Sequence, residues 1–264
     1  MITFSNGRAI GYDDVGSGVP VLFLHGFPHS RSLWSPQLGS LATPARTICM
    51  DLRGFGESAR DEPGGLDGYA DDAASLLDVL GVERAVIAGL SMGGYATFAF
   101  WRRHRARVRA LVLCDTKATA DSEAAQGARV EMQALVTERG SMAVANQMIT
   151  GMVGRTTREK NPELVDELHR MMSLAPVQGI VDALDALRTR PDSTPTLATI
   201  DVPTLIVVGA EDVLTPVKDA RAMHLGIAGS RLEIIAGAGH VSNMERPATF
   251  NHVLSEFLVS LTAQ

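Results

Sequence analysis

VIAGLSMGGYATF, residues 86–98, begins as a run of small and β-branched apolar residues, breaks at Gly89, and resumes with helix-like apolar spacing. Ser91 stands at the break, between glycines two positions to either side. A buried strand that turns sharply into a helix forces its corner residue into a strained backbone conformation, and the flanking glycines allow the close approach of strand and helix. The corner hydroxyl is then expected to project over the carboxyl edge of a sheet. The N–H groups and positive dipole end of the following helix, expected from Tyr95 to Arg103, aim at the same place and favour a negative charge there.

Similar apolar runs recur along the chain at 19–26, 46–51, 84–91, 109–116, 202–212 and 231–239. Their near-continuous hydrophobicity predicts strands buried on both faces of a mostly parallel sheet. Ile2–Phe4 and Ala9–Val15 flank Asn6-Gly7, a tight-turn dipeptide, and predict an antiparallel hairpin at the sheet edge. Tyr69, Ala73, Leu76, Leu77 and Leu80 share one helical face, with Asp71, Asp72, Ser75 and Asp78 opposite and Gly81 as the stop. The alternation of strands and helices predicts an α/β fold with an eight-stranded sheet and helices on both faces. Residues 118–200 carry no strand signal and several helical patterns; Asn161-Pro162-Glu163 is a strong helix start. They are expected to form a helical cap inserted in a core made of residues 1–117 and 201–264.

The chain has 264 residues, 45% hydrophobic and 20% charged, which is the composition of a folded globular protein. Its formal net charge of −6 argues against nucleic acid or an anionic membrane as partner, and a small-molecule partner is expected. No run of about 18 apolar residues and no basic-then-apolar leader occurs, so the cytoplasm is the expected compartment. The two cysteines, Cys49 and Cys114, lie in strand-like runs and read as buried core residues in a reducing environment.

Gly89-Leu90-Ser91-Met92-Gly93 is a Gly-x-Ser-x-Gly pattern in its confirming context of strand, turn and helix. A serine hydroxyl is a weak nucleophile and needs an oriented base. His240 lies in a short glycine-bearing loop after a strand-like run, where it could reach the sheet edge. An acid is then required to hold the imidazole tautomer. Asp212 ends the preceding strand; Asp115, at the end of another, competes for the role, and Glu211 is expected to point the other way by side-chain alternation. The Met92 N–H is one expected oxyanion donor and Phe27, in the loop after VLFLHG, the second. His25 is expected to brace that loop, while His29 and Trp34 either line the mouth of the site or pack the loop.

The segments LHGFPHS (24–30), DLRGFGES (51–58), GLSMGG (89–94), VVGAEDVLTP (207–216) and GAGHVSNMERP (237–247) resemble the α/β-hydrolase superfamily in order and spacing over essentially the whole chain. The resemblance implies a triad of Ser91, Asp212 and His240, oxyanion donors at Phe27 and Met92, and a structural role for Asp51, Arg53, Gly54 and Gly56. It also implies no metal or organic cofactor. In motif form the chain is most similar to small carboxylesterases, enol-lactonases of the 3-oxoadipate type and cofactor-free haloperoxidases or perhydrolases. The expected activity is cleavage of small carboxylic esters or lactones through an acyl-enzyme. Alternatives are perhydrolase chemistry at the same triad and a slow-turnover ligand receptor. The region 118–200 holds six of the eleven methionines and no Phe, Tyr or Trp. Met132, Met148 and Met171 are expected to line the substrate pocket with His29, Val213 and Val241. Eight basic against eleven acidic residues in that region give no sequence reason to expect an anionic substrate.

Overall fold

The structure, a computed structural model, describes residues 1–5, 7–41 and 45–262. Among them the strands are β1 (Ile2–Ser5), β2 (Arg8–Gly16), β3 (Val19–Leu24), β4 (Ala45–Met50), β5 (Ala85–Leu90), β6 (Val108–Cys114), β7 (Thr204–Gly209) and β8 (Arg231–Ile235). They form one eight-stranded sheet in the order β1-β2-β4-β3-β5-β6-β7-β8. Only the pairings of β1 with β2 and of β2 with β4 are antiparallel; from β4 to β8 every neighbour is parallel. The expected hairpin is present, with Ile2 opposite Gly11 and Ser5 opposite Arg8. Gly7 takes a φ of +79°, while Asn6 lies outside the described residues.

Two helices follow the central strands, α1 (Gly65–Val79) after β4 and an intervening loop, and α2 (Met92–His104) directly after β5. Six more run between β6 and β7: α3 (Glu123–Arg139), α4 (Ser141–Met152), α5 (Arg155–Lys160), α6 (Pro162–Ser173), α7 (Val177–Arg188) and α8 (Thr194–Leu197). The chain ends through α9 (Val217–Gly226), α10 (Ser242–Glu245) and α11 (Pro247–Ser260). At α6 the Asn161 side chain accepts from the Leu164 N–H and Pro162 occupies the first turn, as the sequence pattern predicts.

Alternation along the buried strands divides the core in two. Leu22, Leu24, Ile87, Leu111 and Leu113 join one apolar cluster with residues of α1, α2 and α9. Val21, Phe23, Val86, Val112 and Cys114 join the other with Phe250, Leu254 and Leu258 of α11. A strand whose side chains point alternately into two covered layers reads as a continuous apolar run. Trp34 belongs to the second cluster, its ring 4.8 Å from that of Phe23 and 6.1 Å from that of Phe250. It packs the loop and does not line the site. Cys49 and Cys114 are buried and unbridged.

The polar face expected of α1 is not wholly exposed. Asp72 is buried and accepts from the guanidiniums of Arg53, at 2.9 Å for each of two nitrogens, and of Arg8, at 2.7 Å. Periodicity placed Asp72 towards solvent because two cations distant in sequence do not enter a helical pattern. Asp72→Ala would leave the largely buried Arg53 guanidinium without its carboxylate and Arg8 with Asp61 alone. We expect a loss of about 3–5 kcal/mol in urea unfolding. Asp78→Ala, whose carboxylate is mostly exposed beside Arg107, should cost less than about 1 kcal/mol.

Candidate active site

The turn from β5 into α2 puts Ser91 at φ 54° and ψ −111°, a conformation that L residues rarely adopt. A Cβ on Gly89 would run into the Gly93 carbonyl, and one on Gly93 into the Leu24 carbonyl, so both flanking glycines are sterically required. Strand β6 holds the strained residue from the side. The Ser91 N–H donates to the Cys114 carbonyl at 2.9 Å, and the Thr116 hydroxyl donates to the Ser91 carbonyl at 2.9 Å.

The loop after β8 brings His240 to this turn, with its Nε2 2.8 Å from Ser91 Oγ. The other ring nitrogen, Nδ1, lies 2.9 Å from Asp212 Oδ2, which fixes the tautomer that can accept the serine proton. Asp212 follows β7 and is itself held: its Oδ1 accepts from the Leu214 and Thr215 N–H groups at 2.8 and 3.0 Å, and its Oδ2 from the Thr215 hydroxyl at 2.7 Å. Burial works to keep His240 neutral, but the Asp212 charge and hydrogen bond outweigh it and raise its pKa above the ordinary value. Asp212 is likewise pushed up by burial and drawn down further by His240, so it stays ionised.

Asp115 faces elsewhere. Its Oδ1 accepts from the Gly209 N–H at 2.8 Å and its Oδ2 meets the Ser242 hydroxyl at 2.6 Å, so it ties the ends of β6 and β7 to the loop beyond His240. Complete burial, with the Asp212 charge nearby, raises its pKa well above the usual carboxylate range. Glu211 points away from His240, as alternation predicts, and accepts from the Thr156 N–H at 2.8 Å. Glu245, which sequence reasoning did not single out, clamps the histidine loop to the start of α5. It accepts from the Gly239 N–H at 2.7 Å and from the Gly154 N–H at 2.9 Å.

The Phe27 and Met92 N–H groups have no acceptor among the described residues, although both residues are buried. Buried backbone donors are almost always satisfied, so two orphans beside one serine mark a place for a ligand's negative oxygen. His25 braces the Phe27 loop: its Nδ1–H donates to the Gly26 carbonyl at 2.9 Å and its Nε2 accepts from the Leu52 N–H at 3.0 Å. Below it, Asp51 accepts from the Arg31 N–H at 2.7 Å and the Glu57 N–H at 2.9 Å. A Cβ at Gly56 would strike the Asp51 carboxylate.

Ser91 and His240 open into a cavity of about 290 Å³, at the small end of ligand sites. Met132 and Met148 line it, joined by Met152 of α4 and Leu214. Four other expected lining residues do not. Val213 is 70% exposed, because the turn in which Asp212 accepts from residues 214 and 215 swings it outwards and leaves Leu214 at the cavity rim. Val241 is fully buried in the apolar layer with Ile235 and Met244. Met171 and His29 border a second cavity of about 480 Å³ between α6 and the Phe27 loop. Sequence reasoning also missed Tyr95, Lys117, Arg129 and Gln147, which supply the polar part of the lining. Among the described residues no group of three or more His, Cys, Asp or Glu side chains converges as a metal site. None of the described helices is long and apolar enough to cross a membrane.

A doubly covered parallel sheet with a serine at its strand-to-helix corner, and an acid and a histidine at the ends of later strands, defines a class that sequence comparison also identifies. The alpha/beta hydrolase fold family matches residues 19–247, and the chain belongs to it. A thermophilic esterase from Thermogutta terrifontis, solved with malate bound, is 37% identical and superposes with a TM-score of 0.94 over 98% of this chain and 97% of that one. 3-oxoadipate enol-lactonase 1 of Acinetobacter baylyi is 28% identical across 99% of this chain and 97% of its own length. A non-heme haloperoxidase of Rhodococcus erythropolis is 31% identical across 98% and 99%.

Two buried imidazoles, His29 and His240, should separate by titration. Burial, with the charges of His25 and His240, pushes His29 down to about 3, whereas His240 is raised. Ring resonances followed by NMR should show His240 titrating above the ordinary imidazole value of about 6.5 and His29 unchanged from pH 8 to pH 5.

Proposed function

We propose that the protein is a serine hydrolase that cleaves small carboxylic esters or lactones through an acyl-enzyme. The observation that carries the reading is the continuous line from Ser91 Oγ to His240 Nε2 at 2.8 Å and from His240 Nδ1 to Asp212 at 2.9 Å, beside two buried N–H groups that have no partner among the described residues. His240 takes the Ser91 proton as Ser91 Oγ bonds to the carbonyl carbon. The oxyanion lies between the Phe27 and Met92 N–H groups, with the start of α2 behind it. Asp212 stabilises the imidazolium formed in this step and holds its ring in place. Collapse of the intermediate breaks the bond to the alcohol, which leaves with the proton from His240. Water then attacks the acyl-enzyme with His240 again as base, and Ser91 recovers its proton as the acid departs.

The segment 118–200 serves in this reading as a cap over the sheet edge, its methionines forming an aliphatic wall that adapts to acyl or alcohol groups. The esterase and enol-lactonase among the similar proteins support the reaction class. The haloperoxidase favours a second activity at the same serine, in which hydrogen peroxide replaces water as acyl acceptor and the product is a peracid.

Ser91→Ala should lower kcat on p-nitrophenyl acetate or butyrate by on the order of 10⁴-fold or more while the fold persists, and should abolish labelling by a fluorophosphonate. Retention of most esterase activity, or a single slow turnover in the wild-type protein, would count against the reading. Asp212→Asn should be comparably damaging and clearly worse than Asp115→Asn; the reverse order would make Asp115 the acid. Because the neutral imidazole is the base and its pKa is raised, kcat/KM should fall as pH drops, with the midpoint above about 6.5. Peracid formed from acetate and hydrogen peroxide, read by bromination of monochlorodimedone, tests the second activity.

A further inference from the structure

The loop that carries His240 touches the inserted segment backbone to backbone. The His240 N–H donates to the Met152 carbonyl at 3.1 Å, at the end of α4, and the Met152 side chain lines the Ser91 cavity. Gly209, Gly239 and Gly154 stack with no room for side chains: a Cβ on Gly209 would strike the Gly239 carbonyl, and one on Gly239 would strike the Gly154 nitrogen. Glu245 spans this contact, its Oε1 accepting from the Gly239 N–H at 2.7 Å and its Oε2 from the Gly154 N–H at 2.9 Å. Glu211, next to Asp212, accepts from the Thr156 N–H at 2.8 Å. Residues 152–156 are therefore a strap fastened beside both the base and its acid.

Glu245 is 4% exposed and makes no ion pair among the described residues. Burying a carboxylate is costly, and two neutral backbone donors offset only part of that cost. An uncharged isostere does not fill the same place, because two N–H groups need two acceptor oxygens and an amide side chain has one. The titratable groups that face His240 are Asp212 at its Nδ1, Asp115 through Ser242, Glu245 and His29. Burial lowers the His240 pKa; Asp212 raises it most, with Asp115 and Glu245 adding to the rise. Complete burial favours the neutral form of Asp115, which leaves Asp212 and Glu245 as the fixed negative charges. An anion held in place favours the imidazolium of the transition state over the neutral ring of the ground state. We infer that Glu245, by bridging Gly239 of the histidine loop and Gly154 of the strap, is a positioning residue that sets His240 against Ser91 and supplies a second negative charge to its imidazolium. The inference rests on the hydrolase reading for its effect on turnover. It makes residues 152–156 part of what places the base, in addition to the cavity wall that Met152 provides.

Glu245→Gln keeps the size of the side chain and removes the charge and one acceptor oxygen. On p-nitrophenyl butyrate it should lower kcat by about tenfold to a hundredfold and leave KM within about twofold. Loss of an anion favours the neutral imidazole, so the midpoint of kcat/KM against pH and that of the His240 ring resonances in NMR should both fall by about 0.5. A merely structural role would lower the melting temperature and leave both midpoints in place. Gly154→Ala keeps the charge but forces strap and loop apart, and should lower kcat by about tenfold. It carries the test by the same kcat criterion if Glu245→Gln does not fold. Wild-type kcat in either folded variant, or unmoved midpoints in Glu245→Gln, would overturn the inference. Failure of the hydrolase reading looks different: the wild-type protein consumes no ester and a fluorophosphonate leaves Ser91 unlabelled. The NMR titration of His240 then decides, supported by a lower midpoint in Glu245→Gln and overturned by an unchanged one.

Discussion

The backbone of Ser91 is the constraint on which the site depends. A serine at φ 54° carries strain of order 1–3 kcal/mol, and it persists because its surroundings leave no alternative. Cys114 takes its N–H, Thr116 holds its carbonyl, and Gly89 and Gly93 allow α2 to lie against β5 and the Leu24 backbone. Relaxing the turn would separate the hydroxyl from His240 and change the direction of the Met92 N–H at the start of α2. The same strain that exposes the side chain therefore also leaves that donor free for an oxyanion.

The two other members of the proposed triad lie on loops, yet neither loop is loose. Asp212 is locked by donors from its own turn, and the His240 loop is anchored at both sides, by Glu245 to the start of α5 and by Asp115 through Ser242. Asp115 is the instructive residue. It has the right residue type at the right end of a parallel strand, but its carboxyl is spent on Gly209 and Ser242, where it joins β6, β7 and the segment after β8. A carboxyl so deeply buried serves the geometry of the site without touching His240.

Sheet and insertion divide the work. The strand ends supply every group in the proposed chemistry, whereas α3 and α4 supply Arg129, Met132, Met148 and Met152 to the cavity wall. That wall combines methionine side chains with the polar groups of Lys117, Arg129 and Gln147. Charge counted over residues 118–200 conceals this, because most of those acids are on outward faces and Asp121, the buried one, holds two arginines in place.

The chain's sequence by itself determined the alternation of strand and helix, the two-faced burial of the sheet, the corner at Ser91 and the order of serine, acid and histidine. Each of these is a local pattern: a run of apolar residues, a glycine two positions from a serine, a loop after a strand. Only the tertiary structure decided what Asp115 binds instead of the histidine, why Asp72 is buried, and which side chains enter the cavity. Those outcomes depend on contacts between segments 19 to 127 residues apart and on the rotation of each helix about its axis. A rotation of one residue, about 100°, exchanges a methionine that lines a cavity for one that packs behind it. Met171 and Met172, neighbours on α6, illustrate the point, since the first borders the second cavity and the next is fully buried in the core. Lys117 shows the same limit, because its place in one cavity lining with Arg129 and Tyr95 is set by the fold and not by its neighbours in the chain.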